Sequence, residues 1–111
     1  MLLVRTEYKK GVLFVRLDGR IDNERYLNKI KWLIEEFGIR FTVLNISKIN
    51  NISLNNTNSI IKYKNELKKK KHHLLICDHN PLRNSLFNKL IPKIENEIDA
   101  FSLINRKDAY G

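Results

Sequence analysis

The sequence is poor in the residues on which several common kinds of functional site are built. Its 111 residues include one cysteine, two prolines and four glycines. One cysteine excludes a disulfide within the chain and is usual in the reducing cytoplasm, where we expect the protein to be located. With four scattered glycines, the sequence contains neither the G-x-G-x-x-G motif nor the Walker motif of the glycine-rich phosphate-binding loops. The longest apolar runs, such as residues 74–77, are far too short to cross a bilayer, so we expect no membrane span.

Arginine is also scarce, although the chain is basic. It occurs 7 times, against 14 lysines, in a chain of net charge +9. Asparagine is as common as lysine, a bias that AT-rich codon usage produces. Few arginines and no aromatic stacking platform count against a nucleic-acid partner. A small basic nucleic-acid-binding domain remains the alternative interpretation, with contacts from Lys62, Lys64 and Lys68 to Lys71. The dipole of a helix C-terminus also favours the last four of these, Lys68 to Lys71.

No catalytic set of residues is evident. His72, His73, Cys77 and His79 lie close together in the sequence. A zinc site needs three or four ligands at defined spacing, and no second cysteine is present. Cys77 lies inside an apolar run, where the reactive thiolate is disfavoured. The carboxylates are scattered, so we predict that the protein is not an enzyme and uses no metal or cofactor.

Five apolar or alternating runs predict β-strands. The first two should pair as an antiparallel hairpin around a turn at residues 7–11, which includes Gly11. The fourth is almost entirely apolar, which is typical of a strand covered on both faces. The predicted strands are Leu2–Arg5, Val12–Leu17, Arg40–Ile46, His73–Cys77 and Ala100–Ile104.

Three segments predict helices. The first is N-capped by Asp22 or Asn23 and ends at Phe37, with Gly38 beyond its end. Trp32 lies opposite its apolar stripe and is a candidate partner contact. The second helix runs from Asn56 to about Lys70, and the third follows Asn80 and Pro81 and ends near Ile91. The first stripe consists of Tyr26, Leu27, Ile30, Leu33, Ile34 and Phe37.

The predicted order of elements is therefore β-β-α-β-α-β-α-β in one domain covering residues 1–111. Strands that alternate with helices require right-handed crossovers. We expect an α/β fold with a mixed, largely parallel sheet, helices packed on it and an antiparallel hairpin at its start. Residues 105–111 are polar and are predicted to form a flexible tail.

Three segments carry a resemblance to a known family. Residues 12–22 read VLFVRLDGRID, residues 40–47 read RFTVLNIS, and residues 80–87 read NPLRNSLF. In this order they resemble the STAS domain, whose patterns are L-x-G-x-[LI]-D at a strand end, R-x-[VI]-V-L-[DN]-L-S in a strand, and S-P-x-[VL]-x-x-[LI]-F at a helix start. The resemblance runs from about Val4 to Ile104 and is strongest to the small stand-alone anti-sigma factor antagonists of bacteria.

The resemblance implies a non-catalytic protein-interaction module that regulates transcription. Family members bind an anti-sigma factor with a kinase fold, and many are switched off when it phosphorylates a serine in a D-S-[ST]-G motif at the second helix. STAS-like domains also accompany transport ATPases and stress-signalling scaffolds, which remain alternatives. The matching positions predict a partner surface formed by two loops: Asp22 and Asn23 in one, and Asn51, Ser53, Leu54, Asn55, Asn56 and Thr57 in the other.

The phosphorylation motif is altered in this sequence. Ser53-Leu54-Asn55-Asn56 occupies its four positions, so that Asn55 stands where the family has the acceptor serine. An amide cannot accept a phosphoryl group, and we predict a surface that is permanently unphosphorylated and able to bind. Ser53 and Thr57 are the displaced candidate acceptors, because each carries a hydroxyl two residues from Asn55.

Overall fold

The computed structural model describes residues 1–80 and 91–108, with side chains as far as Ile104. Five strands and three helices lie in these residues. The strands are β1 (Leu2–Lys9), β2 (Val12–Gly19), β3 (Phe41–Ile49), β4 (His73–Cys77) and β5 (Lys93–Ile94). The helices are α1 (Arg25–Phe37), α2 (Leu54–Lys69) and α3 (Asp99–Asp108).

The strands form one sheet in the order β1-β2-β3-β4-β5. β1 is antiparallel to β2, and each later pair of neighbours is parallel. Helices α1 and α2 are the crossovers that bring β3 and β4 back in the parallel sense. The predicted mixed α/β sheet with an initial antiparallel hairpin is confirmed.

The hairpin turn is shorter than the sequence predicted. β1 continues to Lys9, and only Lys10 and Gly11 lie between the strands. Both have positive φ, 52° and 80°, the backbone conformation that suits a two-residue turn between twisted strands. The predicted loop at residues 7–11 was therefore wrong by three residues, because the tight turn lets Glu7, Tyr8 and Lys9 continue the pairing with β2.

The sheet is covered on both faces, by different helices. Alternate residues of β2 point to opposite faces, so that Leu13 and Val15 contact the core under α1 and α2, whereas Phe14 contacts the core under α3. The α3 core is the smaller of the two. Its buried members are Val12, Phe14, Phe41, Val43, Leu75, Cys77, Ile94, Ala100 and Ile104.

The last predicted strand is wrong. Residues 100–104 lie in α3, and the fifth strand is the two-residue β5 upstream of it. The apolar residues Ala100, Phe101, Leu103 and Ile104 have spacings of one, three and four, which also suit one face of a helix. Burial of that face against the sheet selects the helix.

Two further predictions concern the same end of the chain. The third predicted helix falls largely on residues 81–90, outside the described residues. Residues 105–108 of the predicted tail continue α3, and residues 109–111 are not described. The flexibility of the tail stays a prediction.

The end of α1 also differs from the sequence pattern. Gly38 has φ 61° and its backbone N–H donates to the Ile34 carbonyl, as predicted for the residue that ends the helix. Phe37 was predicted to lie in the buried stripe, but its side chain is 67% exposed. It is the last helical residue, and Ile39, just beyond the turn, is buried there instead.

Candidate functional site

The second helix begins two residues earlier than predicted, and this fixes the geometry of residues 50–57, an asparagine-rich segment that we call the bend. β3 ends at Ile49, and α2 begins at Leu54. Ser53 is the N-cap, and its hydroxyl accepts a hydrogen bond of 3.0 Å from the backbone N–H of Asn56. Asn55 is therefore the second residue of the helix, in the first turn, where backbone N–H groups lack helical partners.

Replacing this cap should have a measurable effect on stability. Ser53→Ala is expected to lower the free energy of unfolding by about 1 kcal/mol, because the Asn56 N–H loses its acceptor. Ser53→Asp supplies a new acceptor at the same place and should recover most of the loss. Urea unfolding followed by circular dichroism measures both, and equal stability of Ser53→Ala and wild type would contradict the capping role.

Thr57 does not share the exposed surface of its neighbours. Its side chain is 1% exposed, and its hydroxyl donates a 3.0 Å hydrogen bond to the Ser53 carbonyl. The early helix start turns this position toward the core. Thr57 is therefore corrected from a predicted surface contact to a buried residue that holds the first turn, and Ser53 is the exposed hydroxyl of the two displaced candidates.

The bend is held against the loop between β2 and α1. The Asn56 amide nitrogen donates to the Ile21 carbonyl at 3.5 Å, and the Asn50 N–H donates to the Gly19 carbonyl at 3.4 Å. The Ser59 hydroxyl also donates to the Glu24 carboxylate. The two segments that were predicted to form one partner surface are therefore neighbours in the fold.

Asp22 and Asn23 lie on this loop, but neither is the N-cap of α1. The helix starts at Arg25, after Glu24. The Asn23 side chain accepts a 3.0 Å hydrogen bond from the Arg25 N–H, which satisfies one free donor of the first turn in an Asx turn. Asp22 is held 2.8 Å from Arg20 and 3.7 Å from the terminal amine, and Arg20 lowers the pKa of its carboxyl.

We call the exposed and half-exposed part of these two loops the bend surface. It consists of Asp22, Asn23, Asn51, Ser53, Leu54, Asn55 and Asn56. Asp22 is its one charged residue, and it is paired with Arg20. Leu54 is 63% exposed, so the surface combines amides with one large apolar side chain. That mixture suits contact with a folded protein, because amides offer both donors and acceptors around an apolar anchor.

A polar groove of about 510 Å³ extends this surface between α1 and α2. It is lined by Glu24, Leu27, Asn28, Lys31, Asn55, Asn58, Ser59, Lys62, Tyr63 and Glu66. Glu24 and Ser59, which are hydrogen-bonded to each other, both line the groove. The Lys70–Glu35 ion pair, at 2.9 Å, lies in a neighbouring cavity that shares Lys31, Tyr63 and Glu66 with the groove. Sequence reasoning missed Asn28 and Asn58, because the pairing of two helices leaves no local pattern.

The histidine and cysteine residues neither belong to the bend surface nor line the groove. Cys77 is completely buried, and burial raises the pKa of its thiol to about 11. The His73 ring stacks on Phe41 with 5.3 Å between centroids. Among the described residues, no group of three or more histidine, cysteine or acidic side chains is placed to hold a metal ion.

The lysines of the nucleic-acid alternative are not gathered on one face. Lys62 lines the groove between α1 and α2. Lys64 and Lys68 line a small cavity beside β4 instead. Lys70 is paired with Glu35, and Lys71 lies beyond the helix with φ 64°. Lys64 and Lys68 therefore line a different cavity from Lys62, and the six lysines do not all share one surface of the helix.

Comparison with known proteins identifies the fold. No protein-family model matches the sequence. The structure of the anti-sigma factor antagonist SpoIIAA in its unphosphorylated form is similar, with a TM-score of 0.72 and 14% identity over 94% of this chain and 98% of that one. An anti-sigma factor antagonist from Mycobacterium paratuberculosis has a TM-score of 0.79 and 15% identity, covering 95% of each chain. The chain therefore has the STAS fold.

Among the described residues, none of the helices has the length and apolar character that crossing a membrane requires.

Proposed function

We propose that this protein is a non-catalytic regulator that binds a protein partner through the bend surface. The observation that carries the proposal is the match of the fold to anti-sigma factor antagonists, which in one case covers 95% of each chain. The resemblance of three sequence segments to the same proteins supports it independently. The partner is accordingly an anti-sigma factor with a kinase fold, in the bacterial cytoplasm.

The bend surface has the properties that such a contact requires. It is formed by two loops whose mutual hydrogen bonds pre-order it, so little backbone entropy remains to be lost on binding. Leu54 supplies an exposed apolar anchor.

We further propose that the partner cannot switch this surface off by phosphorylation. Asn55 replaces the acceptor, and Thr57 is buried with its hydroxyl engaged. Ser53 is exposed, but its hydroxyl oxygen lies over the helix N-terminus and accepts from the Asn56 N–H. The surface would then stay in its binding-competent state.

A phosphorylation assay tests the lost switch. After incubation with ATP and the kinase-fold partner encoded in the same genome, the protein should not gain the mass of about 80 Da that one phosphoryl group adds. Asn55→Ser restores the family's acceptor and should gain that mass, which shows that the kinase is active and docks correctly. Phosphate on Ser53 of the wild-type protein would overturn the permanent binding-competent state and leave the partner proposal intact.

Binding itself is tested by calorimetry with the same partner. Asn55→Asp places one negative charge where phosphorylation would place its charge and should weaken binding at least about tenfold by repulsion and desolvation. Asn65→Asp adds the same charge at an exposed position on α2 that the bend surface does not include and is the matched control. Absence of binding by the wild-type protein would contradict the proposed partner.

A further inference from the structure

The outer edge of β1 is long and largely exposed. β1 is eight residues long, contains no proline and pairs with β2 without a register shift. Its residues 5–9 are all exposed. Among the described residues, β2 is its one neighbour in the sheet. Such an edge presents free backbone N–H and C=O groups that can pair with another strand.

The two faces of β1 have different chemistry. Leu2 and Val4 pack against the core under α1 and α2, and Tyr8 lies opposite Leu13 on the same face. The opposite face carries Arg5, Glu7 and Lys9, since successive side chains alternate. On that face the Glu7 carboxylate already contacts the Arg16 guanidinium at 2.9 Å.

The sequence of β1 is complementary to itself when two copies pair as antiparallel strands with Thr6 of one copy directly opposite Thr6 of the other. In this register Arg5 of each copy lies directly opposite Glu7 of the other. Val4 lies opposite Tyr8, which joins a β-branched and an aromatic residue on the apolar face. Opposite charges and such apolar pairs are the cross-strand contacts that stabilise antiparallel strands. Each contact occurs twice, as a two-fold axis requires.

Neighbouring registers lose this complementarity. A shift of two residues in one direction places Arg5 opposite Arg5, and the other direction places Glu7 opposite Glu7. Like charges directly opposite each other are destabilising. A shift of one residue turns the helices of one copy to the opposite face of the sheet and pairs Arg5 with Thr6 or Tyr8. The charges therefore select one register rather than simply blocking the edge.

An apolar patch lies beside the same edge. Tyr8, Leu33 and Phe37 line a cavity of about 440 Å³ between β1 and the end of α1. Tyr8 is 61% and Phe37 67% exposed, and the Trp32 ring, 57% exposed, meets the Phe37 ring edge-on with 6.3 Å between centroids. Exposed aromatic side chains grouped in this way are typical of an interaction surface.

We propose that the edge of β1 binds a second copy of this chain. The two sheets join through antiparallel β1 strands in the register centred on Thr6, and the patch of Tyr8, Trp32 and Phe37 flanks the junction on the helix side. The helices α1 and α2 of both copies then lie on the same face of the joined sheet. The interface is separate from the bend surface, and the proposal does not depend on the proposed function.

The oligomeric state of the full-length protein is the first test. Sedimentation equilibrium should give a dimer for the wild type. Arg5→Glu places two pairs of like charges at the junction and should raise the dissociation constant at least about tenfold. Lys69→Glu changes the net charge equally at an exposed position on α2, so its dissociation constant should match the wild type.

A cysteine scan tests the register. Thr6→Cys brings two thiols directly opposite each other across the axis, within the reach of a disulfide, so mild oxidation should give a covalent dimer on a non-reducing gel. Leu3→Cys is the matched control, because its thiol lies opposite Lys9 and far from its own copy. Cys77 is buried and should not react.

The outcomes separate the possibilities. A dimer that Arg5→Glu dissociates and Thr6→Cys cross-links supports the proposal. A protein that remains monomeric at concentrations of about 1 mM, where even weak specific contacts associate, overturns it. A dimer that Leu3→Cys cross-links as well as Thr6→Cys overturns the register and with it the β1 interface.

Discussion

Removal of residues 99–111 is expected to abolish cooperative folding of the protein. This segment contains α3. Among the described residues, α3 is the helix that covers the face of the sheet opposite α1 and α2. Ala100 and Ile104 are buried, and Phe101 and Leu103 are partly buried against the same face. Without them the apolar surface of Val43 and Leu75, both completely buried in the intact protein, would meet water.

The expected size of this effect is comparable with the whole stability of a small domain. Each large apolar side chain contributes roughly 1.5–3 kcal/mol when fully buried. Loss of the contacts of α3, together with the exposed sheet face, therefore removes at least about 5 kcal/mol, against a total of about 5–15 kcal/mol. Dye binding to exposed apolar surface and loss of the near-ultraviolet circular dichroism signal measure the change.

A shorter deletion is the matched control for this experiment. Removal of residues 109–111 leaves α3 intact and should change the free energy of unfolding by less than about 0.5 kcal/mol. Ile104→Ala should have an effect between those of the two deletions. We expect it to lower the free energy of unfolding by about 2–4 kcal/mol, because a buried side chain is truncated. A truncated protein without residues 99–111 that unfolds as cooperatively as wild type would contradict the role of α3 as a structural layer.

Substitution of Arg16 is the second change with a large expected effect. The Arg16 guanidinium contacts the Glu97 carboxylate through two nitrogens, at 2.9 and 2.7 Å. Asn45 donates to the same carboxylate at 2.8 Å. Glu97 lies just before α3, so these bonds fasten the start of the helix to β2 and β3.

Arg16→Met keeps most of the apolar stem but leaves the carboxylate of Glu97, 23% exposed, without its cation. We expect a loss of about 2–3 kcal/mol, because a largely buried carboxylate loses charge-assisted hydrogen bonds. Lys70→Met breaks the exposed Lys70–Glu35 pair and should cost less than about 1 kcal/mol. Equal losses in urea unfolding for the two variants would contradict the special role of Arg16.

The same pair predicts a dependence of stability on pH. Hydrogen bonds from Arg16 hold the pKa of Glu97 below its ordinary value of 4.5, with Asn45 adding to the effect against desolvation. A group with a lowered pKa in the folded state stabilises the fold above its unfolded pKa and loses that contribution as pH falls through the folded pKa. Wild-type stability should therefore fall below about pH 4.5, and Glu97→Gln should reduce this fall, measured by urea unfolding between pH 7 and pH 3.

Local patterns were sufficient to predict much of the fold. The apolar alternation of residues 12–17 determines a strand, and the spacing of Tyr26, Ile30 and Ile34 determines a helix. The two patterns differ because side chains on one face recur every second residue in a strand and every three or four residues in a helix. Trp32 was predicted to lie off the buried stripe and is exposed. The asparagine at position 55 likewise comes from the sequence, and with it the expectation that no phosphate is accepted there.

Other features depended on contacts between distant parts of the chain. The apolar pattern of residues 100–104 is compatible with a strand and with a helix. The segment is a helix because its apolar side then packs on the sheet face that α1 and α2 leave uncovered. Ser53 became the cap and Thr57 a core residue because α2 begins where its first turn can pack on the sheet. The pairing of the bend with the loop at Ile21 joins residues 35 positions apart.

The sequence by itself therefore determined the order of the first six elements, from β1 to β4, together with the STAS resemblance and the chemistry of the bend. Tertiary structure decided which side chains of that bend are exposed, what covers the second face of the sheet, and which strand edge stays open. The physical reason is that hydrogen-bonding propensity and apolar periodicity are local, whereas burial is a property of two surfaces that meet only in the folded chain.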